Sequence, residues 1–283
     1  MADKSKRLFL NFPGEFFVDS TCINCDACRQ IAPETFAEAE DYAYVKAQPS
    51  TDEEERRALR ALISCPTGSI GTVQPNNAAE VISDFPLRLD EGVHYCGFNS
   101  RESAGGNSYF IEHAGGNWLV DAPRFHRHLV GEFAKRGGVD FIFLSSWDFS
   151  ETAAQYAREF DAQRIAYAGD DPDVPDAEVI IRGKEPVEFL PDFRIIPSSG
   201  NRQMLLLENR YLFTGDLFWW VPYREKLKVP EHILQSGDEQ LLTSLGQLAS
   251  LAFEYVLPAH GHRVKRSAEE MEDRLQSLIH RIS

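Results

Sequence analysis

The pattern of apolar and polar residues changes in character near residue 75. Before that point the clearest element is a helix predicted over residues 51–64, in which Thr51 and Glu54 have the spacing of a capping box. Acidic residues fill its first turn, where they complement the positive end of the helix dipole. Its apolar residues fall at positions that share one helix face: Leu59, Leu62 and Ile63.

After residue 75, short apolar strands alternate with amphipathic helices. Strands are predicted at Ser108–Ile111, Trp118–Val120, Phe141–Leu144, Met204–Leu207, Tyr211–Phe213 and Tyr255–Leu257. Helices are predicted at Phe125–Lys135, Ser150–Phe160, Glu239–Ala252 and Arg266–His280. These two patterns of apolar and polar residues indicate two separate folding units along the chain.

The change of pattern falls in a polar stretch, Gln74-Pro75-Asn76-Asn77, which interrupts both strand and helix periodicity. A chain of 283 residues is long enough for two domains. We therefore predict an N-terminal domain over residues 1–75, a linker over 76–86 and a second domain over 87–283.

Composition and charge limit the kinds of molecule that this protein is expected to bind. The formal net charge is −15, so phosphate-rich nucleic acid is a poor partner, whereas acidic surfaces suit docking to a basic redox protein. No run approaches the roughly 18 apolar residues of a membrane span. The start of the chain, MADKSKRLFLNF, lacks the apolar core of a secretory signal. We expect a cytoplasmic protein without a membrane span.

The cysteines carry the most specific chemical signal in the chain. Cys22, Cys25 and Cys28 form a C-x2-C-x2-C run, and Cys65 follows far downstream with Pro66 directly after it. Four thiolates in this pattern can hold a [4Fe-4S] cluster. A disulfide framework fits poorly because the cysteines number five, and a zinc site usually shows two separated C-x2-C pairs. We predict the cluster, held by these four residues.

On these motifs, residues 15–73 resemble a single-cluster ferredoxin domain of the bacterial type. The resemblance implies an α+β ferredoxin-like fold and one [4Fe-4S] cluster. The fifth cysteine, Cys96, has no obvious partner, and we expect it to be a buried structural thiol.

The second segment resembles the metallo-β-lactamase fold, an αββα sandwich. Five pieces carry the resemblance by their order and spacing: Gly106-Asn107-Ser108-Tyr109, Leu119-Val120-Asp121, Phe143 through Glu151, Phe213-Thr214-Gly215-Asp216 and Leu257-Pro258-Ala259-His260-Gly261. The resemblance also implies a metal cleft, because active members of that fold present an H-x-H-x-D-H motif after the strand that corresponds to Phe141–Leu144.

The ligands of that motif are missing from this chain. Its three histidine positions hold Ser146, Asp148 and Glu151, its aspartate position holds Ser150, and a further histidine position is predicted to hold Ser199. Serine is a poor ligand for zinc. Conventional two-zinc hydrolysis is therefore not expected of this segment.

Two hypotheses for the cleft follow from the residues that remain. In the first, the metal site is lost. In the second, Asp148, Glu151, Asp216 and His260 form a rebuilt, oxygen-rich site that suits iron(II) or manganese better than zinc. The resemblance puts Asp216 at the metal-bridging carboxylate position and His260 at the last histidine ligand position.

Three functions from different classes stay open at this point. The preferred one is an iron–sulfur electron-transfer protein with a redox partner, whose second domain binds a partner or ligand. The alternatives are a redox enzyme that uses the rebuilt metal site, and a non-enzymatic assembly or scaffold protein. The aromatic run at Trp219 and Trp220 is predicted to pack over the cleft or against the first domain, or else to bind a partner. The sequence names neither the partner nor an oligomeric state.

Overall fold

A computed structural model describes residues 2–169, 174, 176–235 and 239–282. Contacts between residues divide the chain into two compact units. Unit 1 comprises Met1–Glu112 and Pro123–Gly138, and unit 2 comprises His113–Ala122 and Val139–Ser283. Unit 1 thus holds the predicted ferredoxin-like segment together with residues that follow the predicted linker. The domain boundaries predicted at residues 75 and 87 stay a prediction.

Unit 1 combines short strands with three helices among its described residues. The strands are β1 (Phe16–Val18), β2 (Phe36–Ala39), β3 (Tyr42–Val45), β4 (Ile70–Thr72), β5 (Leu87–Asp90), β6 (Val93–Tyr95) and β7 (Tyr109–Ile111). The helices are α1 (Ala27–Ile31), α2 (Asp52–Ser64) and α3 (Arg127–Lys135). Strand β1 pairs with β4, β2 pairs with β3, and β5, β6 and β7 follow one another, all antiparallel.

Helix α2 begins as the sequence predicts. Thr51 is its N-cap and accepts a hydrogen bond from the backbone N–H of Glu54, at 3.2 Å. In a capping box the Glu54 carboxylate would accept a hydrogen bond from the backbone N–H of the N-cap residue. Here it accepts mainly from the backbone N–H of the preceding residue, Ser50, at 2.7 Å. The helix start is therefore fixed by local hydrogen bonds, which a sequence can reveal.

The buried face of α2 differs from the predicted one. Leu59 is buried, but Leu62 and Ile63 are only half-buried, and the fully buried positions are Ala58, Ala61 and Ser64. Helix α1 packs against α2, and alanine side chains let two helices approach closely. The buried face of α2 is therefore shifted toward its smaller residues, because a neighbouring helix packs there.

The predicted linker makes ordered contacts within unit 1. Residues 78–84 form a 3-10 helix that ends at Asp84. The Asp84 carboxylate accepts hydrogen bonds from both Arg56 and Arg60 of α2; Arg56 Nε lies at 2.8 Å and Arg60 Nε at 2.6 Å. Phe85 follows, is buried, and packs edge-on against Phe98 with 5.3 Å between ring centroids. These contacts attach the segment to α2 and to the loop after β6.

Unit 2 contains the remaining elements. Its strands are β8 (Trp118–Val120), β9 (Phe141–Phe143), β10 (Gln163–Tyr167), β11 (Val179–Ile181), β12 (Val187–Leu190), β13 (Phe193–Pro197), β14 (Gln203–Leu207), β15 (Tyr211–Gly215), β16 (Trp219–Val221), β17 (Lys226–Lys228), β18 (Tyr255–Pro258) and β19 (Val264–Lys265). Its helices are α4 (Ser150–Phe160), α5 (Glu231–Gln235), α6 (Glu239–Leu248) and α7 (Ala268–Ile282).

Two sheets face each other in unit 2. Strands β8, β9, β10 and β11 are parallel neighbours, and β12, β13, β14, β15, β18 and β19 form the second sheet in that order. Trp118 of the first sheet stacks on Phe193 of the second, with 4.1 Å between ring centroids. Helix α4 packs against β10, and α6 packs against β13 and α7. This helix–sheet–sheet–helix layering agrees with the αββα arrangement expected for the second segment.

Most of the predicted elements of unit 2 are found within two or three residues of their predicted ends. Strand β8 and helix α4 have the predicted bounds. The pattern did not predict β10, β11, β12 or β13. In the described part of the chain, no helix has the length and apolar character that crossing a bilayer requires.

The Asp84 contact predicts a measurable effect on stability. We expect Asp84→Ala to lower the free energy of unfolding by about 1–2 kcal/mol, because two guanidinium groups lose a charge-assisted acceptor. Burial opposes the shift, yet hydrogen bonds from Arg56 and Arg60 hold the pKa of Asp84 below its ordinary value of 3.8. The stabilisation is therefore fully present above pH 3.8 and disappears as the pH falls through the lower folded pKa.

Urea unfolding of the wild type and Asp84→Ala over a pH series measures this difference. Glu272→Ala, which removes one exposed acidic residue of α7, is the control for net charge. An Asp84→Ala effect that equals the control, or that grows as the pH falls, would contradict the assignment.

Candidate functional site

The four predicted cluster cysteines lie around one pocket of unit 1. Cys22, Cys25, Cys28 and Cys65 all line it, and it encloses about 340 Å³ of empty space, part of it open to solvent. The fifth cysteine, Cys96, is buried elsewhere in unit 1, as predicted. Two segments that are distant in sequence, residues 22–28 and the segment at Cys65, therefore bring the four thiols together.

A tight turn presents the first three thiols. Asn24 and Asp26 adopt left-handed backbone conformations, with φ of 55° and 74°, which asparagine and aspartate tolerate better than most residues. Arg29 fixes the turn, since its guanidinium donates to Asp26 Oδ1 at 2.6 Å and to Asn24 Oδ1 at 2.5 Å. The turn keeps the sulfur atoms of its three cysteines on the pocket side.

Backbone amides point at two of the cysteine sulfur atoms. The N–H groups of Asn24 and Ala43 both donate to Cys22 Sγ at 3.4 Å, and that of Ser69 donates to Cys65 Sγ at 3.3 Å. Hydrogen bonds to sulfur stabilise negative charge on thiolate ligands and help to set cluster potentials. Four thiols that share a pocket, two of which receive such bonds, fit a [4Fe-4S] cluster.

Burial makes the metal-free thiols poor acids. It raises the pKa of Cys22, raises that of Cys25 to about 12, and raises that of Cys28 well above its ordinary value. The free thiols are therefore protonated at neutral pH. Because metal ligands must be thiolates, binding of a cluster would release these protons, and its positive iron ions would replace them.

A loop from the segment after the predicted linker covers Cys25. Gly105, between β6 and β7, lies so close that a Cβ placed on it would be 2.5 Å from the Cys25 Cβ and 3.0 Å from both Cys25 Sγ and Pro66 Cγ. Its φ of +84° also favours glycine. The sequence shows the glycine pair at 105 and 106, but only the fold shows that this loop meets a cluster ligand.

A buried asparagine holds the covering loop in place. Asn99 is fully buried, accepts a hydrogen bond from the Tyr95 hydroxyl at 2.7 Å and donates to the Gly105 carbonyl at 2.7 Å. It also donates to Asn107 Oδ1 at 3.2 Å. A buried amide with these partners leaves the loop little freedom to move away from Cys25.

The cleft of unit 2 is organised around two carboxylates. His260 Nδ1 lies 2.5 Å from Asp216 Oδ1, and although burial opposes it, this contact holds the pKa of Asp216 below its ordinary value. Asp121, at the end of β8, accepts from the backbone N–H and the hydroxyl of Ser145, both at 2.8 Å. Sequence reasoning used Asp121 only as part of a motif and missed its role as a support for the residues after β9.

The structure brings together only part of the predicted acidic metal set. Asp216 and His260 are partners, whereas Asp148 and Glu151 are exposed at the start of α4. Asp148 accepts a weak hydrogen bond from the Ser146 hydroxyl at 3.3 Å. Within the described ranges, no three His, Cys, Asp or Glu side chains already stand together as ligands of one metal ion, in the cysteine pocket or in the cleft. The four-residue metal set stays a prediction.

The aromatic run after Asp216 packs inside unit 2. Trp220 is buried, its backbone N–H donates to the His262 carbonyl, and the Arg266 guanidinium lies 5.1 Å from its ring centroid. Trp219 lies directly against Gly261, which has a φ of +82° and no room for a side chain. Both tryptophans therefore pack against the loop that carries His260.

Comparison with known sequences identifies one segment. Residues 18–72, about a fifth of the chain, match the family described as the "4Fe-4S single cluster domain of Ferredoxin I". No curated protein sequence is significantly similar to the chain. The family match confirms the resemblance predicted for the cysteine-containing segment.

Solved structures resemble a larger part of the chain at low identity. The DIM-1 metallo-beta-lactamase is 17% identical over 69% of this chain and 96% of its own, with a TM-score of 0.47. The mono-zinc form of FIM-1 from Pseudomonas aeruginosa is 14% identical over 69% and 93%, with a TM-score of 0.48. A peroxy diiron species of the chemotaxis sensor ODP is 18% identical over 68% and 92%, with a TM-score of 0.47. Likenesses this distant say nothing of the chemistry of this chain.

The tight approach of Gly105 predicts the effect of a single methyl group. We expect Gly105→Ala to lower the free energy of unfolding by roughly 2–4 kcal/mol, from overpacking together with left-handed strain. It should also speed alkylation of Cys25 by iodoacetamide in metal-free protein, because the loop must move off that side chain. Chemical denaturation and peptide mass spectrometry measure the two effects.

Two glycines provide controls for this substitution. Gly183→Ala introduces alanine at a φ of +80° with open space around it, and Gly131→Ala places it in α3, also with open space. We expect Gly183→Ala to cost about 1 kcal/mol and Gly131→Ala to cost nothing or to stabilise α3. Equal labelling of Cys25 in Gly105→Ala and Gly183→Ala would show that the close contact is not real.

The buried Asp121 predicts a pH-dependent effect with a definite sign. Burial, opposed by the Ser145 hydrogen bonds, raises the pKa of Asp121 well above its ordinary value. Its contribution to stability therefore falls as the pH rises from the unfolded pKa toward the folded one. Asn can keep both contacts with Ser145 without a charge. We expect Asp121→Asn to become more stable relative to the wild type as the pH rises above 3.8, the ordinary pKa of this carboxyl group.

Asp121→Ala separates the hydrogen bonds from the charge. It leaves the buried N–H of Ser145 without an acceptor, so we expect Asp121→Ala to be about 2–3 kcal/mol less stable than Asp121→Asn in urea unfolding at every pH. An Asp121→Asn protein that is as unstable as Asp121→Ala would mean that the wild-type carboxylate is charged and needed as such.

Proposed function

We propose that this chain is an iron–sulfur electron-transfer protein in which Cys22, Cys25, Cys28 and Cys65 hold one [4Fe-4S] cluster. When bound, such a cluster supplies reversible one-electron transfer. The observation that carries the proposal is the meeting of these four thiols at one pocket of unit 1, with backbone N–H groups aimed at two of the sulfur atoms.

The residues around the pocket have distinct tasks in this proposal. Arg29 holds the cysteine turn and places a positive charge beside Cys28, which favours its thiolate. The Gly105 loop excludes water from the Cys25 side. Ile23 also lines the pocket and is 41% exposed, so the pocket approaches the surface on that side. Electrons would enter or leave on that side.

We propose further that unit 2 binds a partner or ligand and is not a zinc hydrolase. Three observations support this. Ser146 and Ser199 stand at predicted histidine positions and are buried. Asp216 is already engaged by His260. Ser145 is held through its backbone and hydroxyl by Asp121. Polar side chains satisfied by one another can stabilise a former cleft without a metal.

The redox-enzyme hypothesis has less support from this structure. It needs Asp148, Glu151, Asp216 and His260 around one iron or manganese ion, and of these only the Asp216–His260 pair is in contact. Total metal analysis of a variant that lacks the cluster cysteines tests it directly. Stoichiometric iron or manganese in that variant would favour the enzyme over the electron carrier.

The cluster assignment predicts a simple difference between cysteines. We expect Cys25→Ala and Cys65→Ala to lose most of the iron, the acid-labile sulfide and the visible absorption of anaerobically purified protein. The buried Cys96 is the matched control, and Cys96→Ala should keep a full cluster, since this residue lies outside the pocket.

Iron, sulfide and visible-spectrum measurements on the same samples test whether these cysteines are the cluster ligands. Full iron content in Cys25→Ala or Cys65→Ala would refute the cluster ligands. Zinc-dependent hydrolysis of an ester or a lactam by the purified protein would refute the proposed role of unit 2.

A further inference from the structure

Exposed apolar side chains are concentrated near the start of the chain. Among the described residues, eight large apolar side chains are exposed, and four of them lie between residues 9 and 23. Phe9 is 92% exposed, Phe12 54% and Leu10 43%. We call residues 8–12 the aromatic turn. Exposed phenylalanine is unfavourable in water, and a cluster of such residues marks an interaction site more often than single ones do.

The aromatic turn is held rigidly by a buried side chain. Asn11 is only 6% exposed and makes four hydrogen bonds. Its Nδ2 donates to the carbonyls of Leu8 and Val18 at 2.7 and 2.8 Å, and its Oδ1 accepts from the N–H groups of Val18 and Val45 at 3.0 Å. These hydrogen bonds therefore hold the backbone of the turn in a conformation that leaves the Phe9 side chain in solvent.

The residues that hold the turn also form the wall of the cysteine pocket. Val18 lines that pocket, and its carbonyl accepts from the Leu8 N–H at 3.0 Å. Strand β3, which contains Val45, contributes Ala43 to the same wall. Ile23 is both pocket lining and exposed. The aromatic turn is thus attached directly to the strands that enclose the four thiols.

The surroundings of the turn are basic although the chain is acidic. Residues 3–12 contain Lys4, Lys6 and Arg7 against a single acidic residue, Asp3, whereas the whole chain has a net charge of −15. Lys4 and Lys6 are exposed. The Arg7 guanidinium lies 5.6 Å from the Phe17 ring centroid, so it borders β1. A partner that approaches this surface meets positive charge here and negative charge over most of the remaining surface.

We propose that the aromatic turn is the docking surface for an acidic redox protein, whose contact face has an apolar centre surrounded by carboxylates. The basic residues of this segment thus reverse the expectation of a basic partner that the net charge alone gave. This inference rests on the proposed electron-transfer function and names the chemistry of its partner. Phe9 and Phe12 supply the apolar contact, and Lys6 with its basic neighbours selects the orientation. Repulsion from the rest of the acidic chain disfavours other orientations of the same partner.

A second copy of this chain fits the surface less well. A two-fold symmetric dimer would place the turn against itself, so Lys4, Lys6 and Arg7 would face the same three cations. Like charges that face each other across an interface are unfavourable. The basic border therefore favours a partner with carboxylates over self-association.

The test uses oxidised flavodoxin of acidic type as the probe and the cluster-containing full chain as the protein. Isothermal titration calorimetry at low ionic strength measures Kd. We expect Phe9→Ser/Phe12→Ser to raise Kd at least ~10-fold, because central aromatic contacts dominate interface affinity. Lys6→Glu should raise Kd about 3-fold or more, and this effect should fade as salt is added.

Two substitutions outside the turn are the matched controls. Tyr223→Ser removes an aromatic side chain that is 82% exposed, and Lys228→Glu makes the same charge change at an exposed position of β17. Both should leave Kd within about 2-fold, because their side chains lie outside the proposed contact. Absence of flavodoxin binding to the wild type, or equal weakening by the controls, would overturn the docking proposal.

The outcomes also separate this inference from the proposed function. Iron content and the visible spectrum are measured for every variant. A wild type without a cluster contradicts the electron-transfer function, whereas variants with a full cluster and unchanged Kd contradict only the docking surface. Two further measurements test whether the turn binds something else. Sedimentation velocity of the chain alone detects a second copy, and co-sedimentation with phosphatidylcholine/phosphatidylserine vesicles detects a lipid surface. If the double serine variant abolishes self-association or vesicle binding, the occupant is a second copy or a lipid surface and the proposal is wrong.

Discussion

The close contact between Gly105 and Cys25 is the constraint on which the organisation of unit 1 depends. A thiol that is to hold a metal must be screened from water and must keep a fixed direction. Here the screen is a loop that lies some eighty residues farther along the chain and is fixed by the buried amide of Asn99. The cysteine segment and the strands after the predicted linker therefore belong to one compact unit. Residues 78–84 are tied to the same unit through the hydrogen bonds between Asp84 and α2.

The region of unit 2 that is predicted to be a metal cleft contains polar side chains that bind one another. Asp121 supports Ser145, and Gly215, with a φ of +54°, lets β15 end close against the same serine. Asp216 then turns its carboxylate to His260. The loop that carries His260 is packed in turn by Trp219 and Trp220. Each of these groups has a partner from the protein itself, which is what stability requires of polar side chains in a buried cleft.

The local signals in the sequence predicted local structure well and long-range structure poorly. Helix α4 and strand β8 were found with their predicted bounds, because their signals are periodicity and capping within one segment. Strand β10 was missed, and Arg164 explains why. A charged residue interrupts its apolar run, yet Arg164 is buried there because its guanidinium and backbone N–H bind Glu178, at 2.6 and 2.7 Å. That contact holds the pKa of Glu178 at about 2, chiefly through the hydrogen bond from Arg164.

The sequence by itself determined one chemical signature of this protein: four cysteines with the spacing of a single-cluster ferredoxin domain, whose family model the segment matches. The serines at the predicted histidine positions of a metal cleft stay a prediction from the same sequence. Ligand identity and spacing are properties of the chain, so they can be read from it directly. Only the tertiary structure decided that Gly105 covers Cys25, that Asp216 is paired with His260 while Asp148 and Glu151 face solvent, and that Phe9 is held out beside the cysteine pocket. These facts depend on contacts between residues far apart in sequence, whose free energies exist only once the backbone has brought them together.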